Sequence, residues 1–387
     1  MKDYLVIGAG IAGLSLALGL ANRGRQVIVC ERSPSIEPVG AGLTLSASAR
    51  AGLAHLGLGD DIDRLAEPPD PAVVLDWNTG KPLTTRATAK HLWETRRMSR
   101  ADLQSLLLAR LEATGLAELR LGKALAGIEI GAEGAVARFE DGSAIAAAML
   151  FGADGARSSV RASLFGDGSP AFSGRVAWRF VLDHGEAAPL MQGFGATITS
   201  GPDDSLTAYT MSQGTQVNCV AITRSHEWAA EGWSERGDPA ELAANFAGSH
   251  ADARAMIAQA AKRPLYRWGL FDRPVAPLWA KGRAVLIGDS AHPVVPFLAF
   301  GAGLAIEDAV VLDRALAAHD DPDTAIRAYQ AVRIPRARQI QEASRAQALA
   351  FDRAGQWDEK APPPFLDPAI HEYDPVTIPF ATDTHAR

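Results

Sequence analysis

Cysteine is nearly absent from this chain: Cys30 and Cys219 are the only two in 387 residues, far apart and in apolar, strand-like contexts. That excludes a disulfide framework and a thiolate metal site, no metal is expected, and a reducing cytoplasm is the setting that fits. An excess of positive charge is missing as well. The formal net charge is -7 with acidic and basic residues interspersed, so there is no basic face for nucleic acid or anionic lipid. Nor is there an apolar run long enough to cross a membrane. The stretch from Leu5 to Ala21 is broken by Gly8, Gly10 and Gly13, and no small-residue cleavage pattern follows it. What is present is an ordinary globular balance, 47% hydrophobic and 21% charged, at a length that predicts two closely joined domains working on small molecules.

The pattern along the chain predicts an α/β protein. Tyr4 to Ile7 reads as a short buried strand, Gly13 to Asn22 as a helix closed by Gly24, and Gln26 to Glu31 as a second strand, which together open a βαβ unit. Ala101 to Ala113 reads as a helix, Leu119 to Ile145 as short strands, and Ala146 to Gly152 as an apolar strand that rejoins the first sheet. From Gly174 to Val220 the texture is β-rich, and Pro239 to Ala261 reads as one helix. A buried strand at Arg283 to Ile287 and a helix at Ala302 to Ala318 return the chain to the first domain. Ala325 to Ala354 reads as helix, and prolines from Pro362 to Pro379 then impose an extended tail. The expected domains are a discontinuous nucleotide-binding domain over 1–172 and 267–324, an inserted β-rich (α+β) substrate domain over 173–266, and a C-terminal helix and tail over 325–387.

Three separated motifs carry chemistry. Gly8-Ala9-Gly10-Ile11-Ala12-Gly13 lies between a strand and a helix, and Glu31 ends the next strand. The glycines allow a tight turn and close approach of a pyrophosphate to a helix N-terminus, and the carboxylate can accept from ribose hydroxyls. This specifies a dinucleotide without saying which, and Arg32 also suits a 2′-phosphate. Gly152-Ala153-Asp154-Gly155 makes a polar turn at a strand's carboxyl end, where open α/β sheets place ligands, although a plain Asp-Gly turn looks the same. Gly288-Asp289-Ser290-Ala291-His292-Pro293 continues through Pro296 to Gly301-Ala302-Gly303. There a carboxylate can hold a ribityl hydroxyl, and backbone N–H groups at a helix start can face an anionic ring edge. A hydrolase-like reading of Asp289, Ser290 and His292 fails for want of a G-x-S-x-G elbow.

In this order and spacing the motifs resemble the class A FAD-dependent aromatic monooxygenases, the para-hydroxybenzoate hydroxylase fold, and most closely their salicylate-hydroxylase-like branch. Gly40-Ala41-Gly42-Leu43, Ser99 to Leu103, Val176 to Arg179, and Tyr329 to Gln341 extend the likeness to roughly Met1–Ala350. The resemblance implies a Rossmann-like FAD-binding domain with FAD held by Gly8, Gly10, Gly13 and Glu31 at the ADP half, with Arg32, Gly42 and Leu43 beside it. It places Arg100 at the flavin or pyrophosphate, Leu125 at the adenine, Asp154 near the pyrophosphate and Asp289 on the ribityl chain. Pro296, Gly301, Ala302 and Gly303 would then face the flavin ring. Four positions depart from the family: Phe300 where glutamine is usual, Ala47 and Ser48 in place of Pro-Asn, and Ser205 in place of a histidine four residues before the pocket tyrosine.

The activity implied is reduction of FAD by NADH or NADPH, bound transiently, followed by hydroxylation of a small activated aromatic or N-heteroaromatic compound with O2 through a flavin C4a-hydroperoxide. A related flavin reductase or dehydrogenase that does not activate oxygen, and a non-catalytic flavin-binding protein, are the alternatives. Tyr209 and Pro296 are the catalytic candidates, and Arg179, Tyr209, Met211 and Phe297 the substrate candidates. Each has a plainer reading: Tyr209 as a packed sheet residue, Arg179 as a structural arginine, Phe297 and Phe300 as core, and His292 as a loop cap. A monomer or homodimer is expected.

Overall fold

The first βαβ unit forms because its strands are wholly apolar and its helix packs on every side. Tyr4–Ile7 and Val27–Cys30 pair in parallel, and the intervening helix Ile11–Asn22 buries nearly all of its residues. Strands covered on both faces read as continuous apolar runs. The computed structural model describes residues 4–36, 42–68, 72–85, 95–166, 168, 170–226, 235–352 and 367–380. Six strands make this first sheet in the spatial order Ala280–Lys281, Ala284–Leu286, Met149–Gly152, Tyr4–Ile7, Val27–Cys30 and Ala117–Arg120, parallel except at the first. Ile7 lies beside Gly152 on one side and Cys30 on the other, and Gly152 beside Leu286. The three sequence motifs therefore emerge in one row, at the carboxyl ends of adjacent strands.

Two expected elements are divided. The run Ala146 to Gly152 belongs to two sheets: Ala144–Ala147 ends an antiparallel three-stranded sheet with Gly134–Phe139 and Leu125–Gly131, and Met149–Gly152 enters the parallel one. The expected helix Pro239 to Ala261 is likewise two helices, Pro239–Asn245 and Ala251–Gln259. Ser249 turns its hydroxyl onto the Phe246 carbonyl at 2.8 Å, and His250 caps the second helix through Nδ1. These side chains compete with the helical ladder for backbone groups.

The second sheet has eight strands in the order Glu235–Arg236, Tyr266–Asp272, Ala171–Asp183, Gln216–Arg224, Ser205–Met211, Ala196–Ser200, Ala72–Asp76 and Pro82–Thr85. It therefore draws on strands outside 173–266. Ala72–Asp76 pairs in parallel with Ala196–Ser200, and Tyr266–Asp272 runs across the expected boundary at residue 267 to pair with Ala171–Asp183. One face, carrying Trp178, Phe180, Leu206, Ala208 and Cys219, is closed by Leu242, Met256 and Ile257 of the two helices. The opposite face turns Arg179, Tyr209, Met211 and Asn218 toward the first domain, because residues two apart on a strand share a face.

At the C-terminal end the helix spans Pro322–Asp352, opened by Asp321, whose carboxylate accepts the Thr324 N–H at 3.0 Å. The proline-rich tail is not merely extended. Pro368 opens a one-turn helix to His371, and Arg314 donates to the carbonyls of Pro375 at 2.7 Å and Ile378 at 3.0 Å, fastening the strap to the helix Gly301–Ala318. Pro362, Pro363 and Pro364 lie outside the described residues, as do Gly40, Ala41, Trp228 and Trp233.

Candidate active site

The row of strand ends is shaped by backbone that only glycine can supply. Gly8 has φ +109°, and a Cβ there would stand 2.4 Å from the Ala153 carbonyl oxygen. One at Gly13 would stand 2.0 Å from the Gly8 oxygen. Gly10, at the start of the helix, meets nothing within 4 Å, so its backbone opens on free space. That turn is cut for a ligand that approaches the main chain. Glu31 is anchored rather than loose: its two oxygens accept the N–H groups of Ala9 at 2.9 Å and Ser33 at 3.0 Å, while the neighbouring Arg32 is exposed.

The two other acids of the row differ from each other. The Asp154 carboxylate is turned into its own loop, accepting from the Ser158 hydroxyl and from the Val160 N–H at 3.1 Å, so it is the backbone of Asp154 that lies against the Gly8 turn. Burial raises its pKa against those hydrogen bonds. Asp289, in the turn Gly288–Ser290, makes no side-chain hydrogen bond or ion pair among the described residues. Burial raises its pKa, and the nearby charges of His292 and Arg100 oppose this. Arg100, the first residue of the helix Arg100–Ala113, acts on Asp289 from one side and on Arg179 from the other, which places it between the two domains. Leu125 is partly buried against the first core at the start of its strand.

A loop of Pro293 to Phe300 closes the row and leads into the helix Gly301–Ala318. Pro296 opens a 3-10 turn, Phe297 packs against the cluster of Ala177, Ile222, Trp268, Leu270 and Val295 with the Arg175 guanidinium 5.4 Å from its ring, and Ala299 takes φ +58°. Phe300 caps no N–H with its side chain, so the first-turn amides of Gly301, Ala302 and Gly303 are left for a ligand. A left-handed alanine costs about 1–2 kcal/mol, partly offset by the extra chain entropy of glycine. Ala299→Gly is expected to stabilise the apoprotein by up to about 1 kcal/mol, as read by denaturant unfolding, and a destabilised variant would contradict strain at this position.

The side of the eight-stranded sheet that faces this loop has an apolar half and a polar half. Val220, Ile222 and Trp268 of the sheet make the first together with Val295 and Phe297 of the loop. Tyr209, Asn218 and Arg179 of the sheet make the second, with Arg97 of the strand Arg96–Ser99 beside Tyr209. The Arg179 guanidinium lies 4.7 Å over the Trp268 ring, its Nε is sealed from solvent without a hydrogen-bond partner, and it forms no ion pair among the described residues. Burial lowers its pKa to about 10, with Tyr209 opposing and Arg100 adding to the shift. Tyr209 is buried beneath Arg97, whose guanidinium is 5.7 Å from the ring, and burial pushes the phenol up to about 12. Its hydroxyl and Asn218 both press on Gly42, where a Cβ would meet Tyr209 Oη at 2.7 Å and Asn218 Cγ at 2.8 Å. Met211 is buried one pleat further along this face, and Leu43 packs on the first core.

A family model described as an FAD binding domain matches residues 1–344. The chain is 35% identical over 352 residues to a 3-amino-4-hydroxybenzoate 2-monooxygenase of Streptomyces platensis, covering 89% of this chain and 87% of that one. It is 33% identical over 350 residues to a 3-hydroxybenzoate 6-hydroxylase of Aquipseudomonas alcaligenes, covering 89% and 88%. The chain belongs to the class A FAD-dependent aromatic monooxygenases. Among solved structures, Klebsiella pneumoniae HpxO complexed with FAD and uric acid superposes with a TM-score of 0.81 at 27% identity, over 93% of this chain and 90% of that one.

This monooxygenase uses FAD to hydroxylate small aromatic or heteroaromatic compounds with O2 and reduced nicotinamide. Its residues fit the flavin dinucleotide. The glycine turn is open at Gly10, Asp289 is a half-buried acid without a partner among the described residues, and an uncapped helix start faces the same row. No helix among the described residues is long and apolar enough to cross a membrane. Asn218 and Arg97 escaped the sequence reading. Asn218 is fully buried, with Oδ1 accepting the Gly42 N–H at 2.9 Å and Nδ2 unpaired. An asparagine inside the otherwise apolar run from Val217 to Ile222 was the available signal. Phe300 and His292 follow their plainer readings. Phe300 packs with Leu304, Ile340 and Ile370, and His292 is fixed by Asp308 at 2.5 Å.

Proposed function

We propose that the substrate is an aromatic acid: a small ring that carries an activating hydroxyl or amino group and, in addition, an anionic substituent received by Arg179. The observation that carries this is the half-buried Arg179 side chain, stacked on Trp268 with its Nε sealed from water and unpartnered, and with no acid beside it among the described residues. A cation drawn in from solvent is ordinarily paired, so a site built this way expects its counter-charge from the ligand. The two hydroxybenzoate-acting relatives support the reading, since the compounds in their names are carboxylates. Tyr209 donates to the same group or to the ring hydroxyl, because a phenol with its pKa near 12 keeps its proton at neutral pH. Met211, Phe297 and Pro296 wall the ring, and the apolar half keeps water from the reacting carbon.

In the same reading Gly8, Gly10, Gly13 and Glu31 hold the ADP half of FAD, with Arg32, Gly42, Leu43, Arg100, Leu125 and Asp154 around it through side chain or backbone. Asp289 takes the ribityl chain, and Gly301, Ala302 and Gly303 meet the N1–O2 edge of the ring. When bound, the flavin supplies hydride acceptance and oxygen activation, while the protein positions the ring and excludes water. Two buried free cysteines support a reducing, cytoplasmic setting for a monomer or homodimer.

The test is a panel of hydroxy- and aminobenzoates, hydroxynicotinates and their carboxamide isosteres, scored by stimulated NADH or NADPH oxidation and by coupled product. Acids are expected to stimulate and amides to fail. Equal stimulation by both would end the assignment of Arg179. Tyr209→Phe is expected to raise KM about 5- to 10-fold, the worth of one hydrogen bond, without changing the shape of the pH profile of kcat/KM between pH 6 and 10. The phenol does not titrate in that window, so a lost limb in the variant would contradict its role as a fixed donor.

A further inference from the structure

The helix whose first turn is Gly301-Ala302-Gly303 carries two wholly buried acids, Glu307 and Asp308, one to two turns from that end. At 1.5 Å per residue they lie roughly 6–10 Å along the axis from the first-turn amides, on a buried stretch of helix where solvent screening is weak. Left alone, two negative charges there would cancel the positive helix end that favours an anion. They are not left alone. Arg333, from the C-terminal helix and itself fully buried, donates from Nη1 to Glu307 at 2.6 Å and from Nε to Asp308 at 2.7 Å. Arg336 adds two longer contacts to Glu307 at 3.3 Å, and Ser48 donates to Glu307 at 2.6 Å. Asp308 also accepts the Gly288 N–H at 2.7 Å, in the turn that bears Asp289.

Burial works to raise both carboxyl pKa values. At Glu307 the charges of Arg336 and Arg333 outweigh it, and at Asp308 those of His292 and Arg333 do so, so both acids are held below the ordinary range and are ionised. The two guanidiniums thus offset the two carboxylates beside the helix start, with the His292 ring also set against Asp308. We infer that Arg333 and Arg336 are positioning residues that shield the flavin-facing helix end from Glu307 and Asp308, and so set how readily bound FAD is reduced. The inference rests on the reading that Gly301 to Gly303 meet the flavin N1–O2 edge, where reduced flavin gathers negative charge. Neither arginine needs to touch the cofactor.

The test is the midpoint potential of bound FAD in the holoenzyme, measured at about pH 9 so that carboxylates deprived of a partner stay largely ionised. Arg333→Met and Arg336→Met are each expected to lower the reduced-to-oxidised ratio about tenfold, which is about 30 mV for a two-electron couple. Glu307→Gln is expected to raise it by a similar factor, and Arg333→Lys, which keeps the charge but not the fork, to stay near the parent value. Opposite signs for arginine and glutamate variants separate shielding from simple loosening, which would move every variant one way. Should Arg333→Met fail to fold, Arg336→Met and Glu307→Gln carry the same test. Unshifted potentials in these two, or equal shifts in Arg333→Met and Arg333→Lys, would overturn the shield. Ala302→Asp places a charge at the helix start itself and should lower the potential further. If Ala302→Asp shifts the potential and the arginine and glutamate variants do not, only the shield is lost. An unshifted Ala302→Asp removes the flavin-edge reading and the shield with it.

Discussion

Asp289→Ala is expected to raise the FAD dissociation constant roughly 10- to 100-fold, the worth of one charge-assisted hydrogen bond, while leaving the apoprotein at least as stable as the parent. The two halves of that result come from one observation. Asp289 is a half-buried carboxylate at a strand end that makes no hydrogen bond or ion pair among the described residues, so in the absence of ligand it contributes some desolvation cost and little else. Its alanine replacement removes that cost from the apoprotein and removes the ribityl acceptor from the holoprotein. Asp154 makes the contrast. Its carboxylate is already engaged by Ser158 and Val160, so Asp154→Ala should destabilise the loop itself. Fluorescence titration of FAD and thermal unfolding of both forms would check this; parallel losses of affinity and apoprotein stability in Asp289→Ala would contradict the assignment.

Arg179→Met is expected to raise KM for the preferred aromatic acid by roughly 30-fold or more, the range measured when a buried charge pair loses one partner. FAD affinity should hardly change, since Arg179 stands on the sheet opposite the strand row and stacks on Trp268. The carboxamide of the same substrate should be handled about equally by parent and variant, because it brings no charge to pair. Burial lowers the Arg179 pKa from the ordinary arginine value, yet a guanidinium keeps its proton through neutral and mildly alkaline pH, so the receiving charge persists there and a bound carboxylate holds it more firmly still. Steady-state kinetics with the acid and its carboxamide would measure the effect, and an unchanged KM in the variant would sink the role.

How much of this could be read beforehand depends on how local each feature is. The turn Gly8 to Gly13 and the acid Glu31 belong to one short βαβ unit, so spacing alone carried them. The opposing sheet was harder. Ala72–Asp76 is a short apolar strand with nothing local to say which sheet it joins, and it pairs with Ala196–Ser200 far along the chain. Periodicity places a residue on a face but does not choose the partner strand. The break at Ser249 and His250 was missed because side-chain capping competes locally with a helical pattern that otherwise continues. Phe300 was open between core and pocket until the C-terminal strap was in place, since Ile370 and His371 are what cover it.

Flavin binding was thus determined by the sequence alone, because tight turns, strand ends and helix starts are set by neighbouring residues and carry their chemistry in fixed spacing. The substrate face and the charge balance behind the flavin-facing helix were decided only by the tertiary structure. Arg179 gains its meaning from the lack of an acid beside it among the described residues, and Glu307 and Asp308 from an arginine on another helix. Pairing of charges across a buried interior depends on distance in space and on exclusion of water, and neither is written along the chain.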